Sequence, residues 1–121
     1  MIFDPQAKLL HHSDRVKQWI DTGKTIPVLI EIAPTGYCNA KCPWCFFKDK
    51  ISDTKIDKKL MLQSITDMAK LGVKAINWTG GGEPTLHHYF KDFIESASLN
   101  KLKQGLFTNA YQEVPYQEKF E

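Results

Sequence analysis

No stretch of the chain approaches the roughly 20 consecutive apolar residues that a membrane-spanning helix needs, so no membrane partner is read from it. Excess charge is also lacking. Sixteen Lys and Arg against 14 Asp and Glu leave a net charge of +2, too small to argue for nucleic acid or an anionic membrane surface. The opening Met1-Ile2-Phe3-Asp4-Pro5 has neither the basic nor the apolar region of a secretory signal. No segment is of low complexity, and no internal repeat goes beyond a βα alternation. With 121 residues there is room for one domain at most. Cysteine is scarce: three residues, an odd number, fit a reducing compartment better than a secreted disulfide scaffold. The expected location is the cytoplasm.

What is there is concentrated. All three cysteines fall in Cys38-Asn39-Ala40-Lys41-Cys42-Pro43-Trp44-Cys45, at spacing C-x3-C-x2-C. Cysteines that only fill a core scatter over strands and helices. Three in one short loop can turn their sulfurs toward one metal centre. Three thiolates leave one iron of a four-iron cube without a protein ligand, and an open position is where a substrate or cofactor binds.

Along the chain, Asp4-Pro5 reads as a helix start and Gly23 as its stop, giving a helical appendage over residues 1–25 that packs on the main fold, with Trp19 in that packing. Residues 26–121 then alternate. Ile26 to Ala33 reads as a buried parallel strand with Glu31 its one polar interruption, and it runs straight into the cysteine loop. Lys48 to Ile56 is polar and lysine-rich, an exposed loop. Asp57 can cap a helix to Leu71, with Met61, Ile65, Met68 and Ala69 on one face and Gly72 ending it. Val73 to Thr79 is a second strand, followed by Gly80-Gly81-Gly82-Glu83-Pro84. A helix from about His87 to Leu99 carries Phe90, Phe93, Ile94 and Ala97 on one face, and a third strand near Lys103 to Thr108 ends at Asn109. The order predicts a parallel α/β sheet with crossover helices. Ligands in such sheets bind beyond the carboxyl ends of the strands. The cysteine loop, the glycine loop and Thr108-Asn109 each follow a strand, so all three are expected at one edge.

With C-x3-C-x2-C, Trp44 before the last cysteine, and Gly81-Gly82-Glu83-Pro84 after the next strand, the chain resembles the radical S-adenosylmethionine (radical SAM) superfamily from about Pro27 to Asn109. The resemblance implies the N-terminal portion of a partial (βα) barrel: three parallel strands with crossover helices and an extra N-terminal helix, read as stopping after the third strand. It implies a [4Fe–4S] cluster held by Cys38, Cys42 and Cys45, with S-adenosylmethionine on the fourth iron through its amino and carboxylate groups. One electron from a donor such as flavodoxin or ferredoxin then yields a 5′-deoxyadenosyl radical that abstracts hydrogen from a substrate. Gly81, Gly82, Glu83 and Pro84 match the motif that contacts the methionyl amino group. A carboxylate at Glu83 suits that ammonium, a charge-assisted contact of ~1.5–3 kcal/mol. Trp44 matches the aromatic whose backbone helps hold the adenine. Thr108-Asn109-Ala110 resembles a Thr-Asn-Gly motif, placing Asn109 beside the cofactor, with alanine where glycine takes positive φ more cheaply. His88 stands where many relatives carry proline. The resemblance names neither a catalytic side chain nor a substrate.

Two other readings use the same residues. A non-catalytic metal module would hold zinc, or an inert cluster, on the three thiols, with a distant histidine such as His87 completing a zinc site. A thiol–disulfide oxidoreductase would use Cys42-Pro43-Trp44-Cys45 as a C-x-x-C pair, leaving Cys38 and the glycine loop without a role.

Overall fold

The computed structural model describes residues 10–120. Three four-residue strands, β1 (Leu29–Ile32), β2 (Ala75–Trp78) and β3 (Lys103–Leu106), form one sheet in the order β1-β2-β3, every pair parallel. The register is level: Ile30, Ile76 and Gln104 lie side by side, as do Ile32, Trp78 and Leu106. Helices α2 (Lys58–Leu71) and α3 (Phe90–Leu99) make the crossovers. The α/β class, the parallel sheet and the helix–strand alternation are as the sequence predicts.

Each crossover helix forms for a local reason. The Asp57 carboxylate accepts from the Leu60 N–H at 2.9 Å, capping α2 at its start. Gly72 ends it with φ of 98°, a left-handed turn in which the Arg15 guanidinium also leaves a side chain little room. The apolar faces of α2 and α3 meet one face of the sheet. Met61 and Ile65, and Phe90, Phe93, Ile94 and Ala97, pack there with Val73, Ile76, Trp78 and Leu102. Trp78 is fully buried, edge-on to Phe90 and stacked on Phe93. Its indole N–H donates to Gln104 Oε1 at 2.8 Å, and the Gln104 amide donates to the Ile94 carbonyl and the Ser98 hydroxyl. The polar groups of Gln104 inside this core are therefore satisfied, as a buried amide must be.

Three expectations are corrected. β1 is not buried: Leu29 and Glu31 are exposed while Ile30 and Ile32 are half-buried, because helices cover only one face of the sheet. Trp19 does not pack; it is 60% exposed, and α1 (Ser13–Thr22) buries none of its residues. α1 is held instead by Arg15, whose guanidinium donates to the Gly72 carbonyl at 2.7 Å. The stop at Gly23 is as expected, with φ of 69°, whereas the start at Asp4-Pro5 lies outside the described residues. The third helix begins at Phe90 rather than His87. A single 3₁₀ turn at Pro84–Leu86 comes first, and the His87 side chain is taken up elsewhere.

Candidate cluster and cofactor site

The cysteine loop is a hoop closed at its base. Gly36 N–H donates to the Thr54 carbonyl, Ser52 N–H to the Gly36 carbonyl, and Ile56 N–H to the Pro34 carbonyl, at 2.8, 3.2 and 3.0 Å. Thr35 reinforces this pairing: its hydroxyl donates to the Thr54 carbonyl and accepts from Tyr37 N–H. His87 clamps the outer side. Its Nδ1 accepts from Tyr89 N–H, which can only donate, so Nε2 carries the hydrogen and donates to the Ile56 carbonyl at 3.0 Å. Desolvation holds the His87 pKa below its ordinary value, against the opposing pull of that carbonyl; His88 and Lys55 lower it further. Both ring nitrogens are engaged, so His87 does not complete a zinc site with the cysteines.

The glycine loop is pressed against this hoop. A Cβ on Gly82 would run into the Tyr37 carbonyl oxygen and stand 2.7 Å from the Gly36 carbonyl carbon, while one on Gly80 would strike the Gly82 backbone. These two glycines are required by the protein itself. Gly81 is different: a Cβ there meets only the Phe47 ring, at 3.7 Å. Glu83 follows, its N–H donating to the Tyr37 carbonyl at 2.8 Å, and Pro84 starts the 3₁₀ turn with a ring that presets its φ.

The Glu83 carboxylate is the hub. The side chain is buried, 3% exposed, with four protein donors. Oε1 accepts from Thr85 N–H, the Thr85 hydroxyl and the Thr108 hydroxyl at 3.1, 2.7 and 2.7 Å, and Oε2 accepts from Asn109 N–H at 2.8 Å. Asn109 reaches on to the cysteine loop. Its Nδ2 donates to Asn39 Oδ1 at 2.9 Å and stands 3.9 Å from Cys38 Sγ, while its Oδ1 accepts from Tyr111 N–H. The turn after it needs positive φ: Ala110 sits at 56°, where the resembling motif has glycine.

The three loops thus meet at one edge. They enclose an open cavity of about 320 Å³ lined by Cys38, Cys42, Glu83, Thr108 and Asn109 among others. All three cysteines are free and partly exposed. Among the described residues, no three His, Cys, Asp or Glu side chains converge as ligands of one ion. A four-iron cube asks less convergence, since each thiolate takes its own iron. Soft thiolates beside an open cavity and a carboxylate fit a cluster carrying a charged organic ligand. Trp44 is 85% exposed. The cysteines, the glycine loop and Asn109 are brought together. Thr85 and Thr108 as donors to Glu83, and His87 as the clamp, were not singled out in the sequence. A hydroxyl two residues after an acid was the available signal for Thr85.

Residues 32–117 match the family model of the radical SAM superfamily. The chain belongs to the radical SAM superfamily. Its members use a [4Fe–4S] cluster and S-adenosylmethionine. The chain is 32% identical over 92 residues to GTP 3′,8-cyclase of Chlorobaculum tepidum, covering 75% of this chain and 26% of that protein. It is 33% identical over 79 residues to the tungsten-containing aldehyde ferredoxin oxidoreductase cofactor-modifying protein of Pyrococcus furiosus, covering 62% and 22%. The chain therefore spans about a quarter of the length of the curated relatives it matches. Among solved structures, Streptococcus suis SuiB bound to S-adenosylmethionine superposes with a TM-score of 0.68 at 21% identity, covering 98% of this chain and 28% of that one. SuiB bound to its precursor peptide SuiA gives 0.66 at 24%, covering 95% and 26%. At such identities the likeness establishes the fold, the partial radical SAM barrel. No helix among the described residues is long and apolar enough to cross a membrane.

Proposed function

We propose that these residues form the cluster- and cofactor-binding part of a radical SAM enzyme. In this reading Cys38, Cys42 and Cys45 each give a thiolate to one iron of a [4Fe–4S] cluster, and S-adenosylmethionine takes the fourth. When bound, the pair supplies a 5′-deoxyadenosyl radical for hydrogen abstraction, given one electron from a low-potential flavodoxin or ferredoxin.

The observation that carries the reading is the position of Glu83, its carboxylate tied to the loop after β3 and its backbone to the cysteine loop. Among the described residues Oε1 has three donors and is saturated, whereas Oε2 has one and keeps a lone pair. Oε2 is thus the oxygen free to accept from the cofactor's ammonium. Gly81 supports the same reading, since nothing among the described residues requires a glycine there and a bare backbone lets a ligand approach closely. Gly82 and Pro84 set the loop, and Trp44 contributes backbone near the adenine. The buried carboxylate and glycine loop have no part in a C-x-x-C redox pair or an inert metal module.

The names of the relatives span a nucleotide, a metal cofactor and a peptide. The shared part is radical generation, and substrate choice is proposed to lie outside these residues. The test is anaerobic reconstitution with iron and sulfide, then EPR of the dithionite-reduced protein with and without S-adenosylmethionine. A reduced [4Fe–4S] signal that changes on adding the cofactor is expected. Zinc without a cluster, or a cluster blind to the cofactor, would overturn the assignment for this chain.

A further inference from the structure

The three cysteine sulfurs are not equivalent. Cys38 Sγ has two N–H groups before it, the Ala40 backbone at 3.4 Å and Asn109 Nδ2 at 3.9 Å. Among the described residues no comparable donor reaches Cys42 or Cys45. The direction of the Asn109 amide is not arbitrary. Tyr111 N–H can only donate, and it stands 3.0 Å from the amide oxygen, so the nitrogen must face the cysteine loop. One amide hydrogen goes to Asn39 Oδ1, and the other has Cys38 Sγ in front of it. The separation is at the long end for a sulfur acceptor.

We propose that Asn109 is a positioning residue that raises the reduction potential of the cluster through Cys38. The inference rests on the function proposed above. An electron passed to a bound cluster by a low-potential donor protein would leave part of its negative charge on the thiolate sulfurs. An N–H directed at one of them favours the reduced form, and hydrogen bonds to sulfur are among the levers that set such potentials. The Asn109 backbone does separate work, donating to Glu83 Oε2. Side-chain substitution therefore does not remove the backbone bond to Glu83.

The experiment is an EPR-monitored redox titration of the reconstituted chain, comparing wild type with Asn109→Leu, Asn109→Asp and Asn39→Ala. Leucine keeps the branched four-atom shape but removes the donor, and with it the acceptor for Tyr111 N–H. Aspartate keeps the acceptor for Tyr111 N–H and replaces the donor by a negative charge. Asn39→Ala removes the amide's other partner but not the amide. Reduction is expected to become about tenfold less favourable in Asn109→Leu, which is about 59 mV for a one-electron couple. The loss should be larger in Asn109→Asp and less than twofold in Asn39→Ala. Unchanged potentials in both Asn109 variants would overturn the proposal while leaving the functional reading intact. An equal shift in Asn39→Ala would overturn it in favour of loop displacement. Loss of the cluster from both Asn109 variants at unchanged circular dichroism would make Asn109 a structural brace instead. No cluster in the wild type would overturn the functional reading and this inference together.

Discussion

Exchanging Glu83 for glutamine changes one atom and asks whether the carboxylate is structurally required. Thr85 N–H donates to Oε1 and Asn109 N–H to Oε2, at 3.1 and 2.8 Å. Backbone N–H groups cannot turn round, so both side-chain oxygens must remain acceptors. A glutamine offers one acceptor; whichever way it is turned, its NH₂ faces an N–H. The threonine hydroxyls can reverse and accept, so they contribute little to the conflict. Losing one hydrogen bond to a charged group costs ~1.5–3 kcal/mol. Removing a buried charge returns part of any desolvation penalty. The net expectation is a loss of about 2 kcal/mol, near the low end of that range. For a chain of this size that lowers Tm by roughly 6–12 °C. The assay is urea and thermal unfolding of the metal-free protein by circular dichroism, which keeps cofactor binding out of the measurement. Thr108→Val is the control. It removes one of three donors crowding Oε1 and should cost less than about 1 kcal/mol. A glutamine variant as stable as wild type, or more stable, would refute the reasoning, because burial of the charge would then outweigh its bonds. The same measurement bears on alanine at Glu83: loss of cofactor binding there mixes ligand contact with loop collapse.

Gly82→Ala should cost more than about 2 kcal/mol and reduce soluble yield, since its Cβ meets backbone that cannot give, while Gly81→Ala should stay within about 1 kcal/mol of wild type in urea unfolding. Ala110→Gly should stabilise the chain by about 0.5–1 kcal/mol in the same assay, by relieving the positive φ of 56°. His87 is held neutral by burial, so its contribution to stability is complete above the ordinary imidazole value of about 6.5 and is withdrawn as pH falls through its depressed folded value. Urea midpoints should therefore drop more steeply below about pH 6.5 in wild type than in His87→Phe, and parallel curves would contradict the clamp.

What the sequence made legible was set by local chemistry. The pattern Met61, Ile65, Met68 and Ala69 between Asp57 and Gly72 carries both the face and the ends of α2, and each behaves as its residue type requires. Cys38 to Cys45 and Gly80 to Pro84 were readable as one site because parallel strands bring successive loops to one edge. The start of α3 was not readable. His87 fits a helical pattern by spacing, but its ring is drawn to a carbonyl 31 residues away, a contact no local window contains. β1 looked buried because its composition is apolar, and composition is silent on whether one or both faces are covered. Trp19 failed similarly, since a large aromatic on a helix reveals an appetite for burial and not a surface to satisfy it. The Glu83 hub was half visible. The acid stood out by its motif, and the two donors brought in by the loop after β3 required the fold.

The level pairing of the three strands has a consequence for how damage would travel. Thr79 N–H continues the ladder onto the Ile32 carbonyl, and Phe107 N–H onto the Trp78 carbonyl, so each loop departs from the same rung. A slip of one strand by two residues preserves which side chains face the helices, yet carries its loop about 6.6 Å along the sheet. That distance is beyond the reach of every bond joining Glu83 to Thr108 and Asn109. The apolar residues opposite α2 and α3 therefore act as a gauge for the polar site at the strand ends. A substitution at Ile76 or Trp78 can leave the chain folded and helical and still show itself first as a misaligned cofactor site.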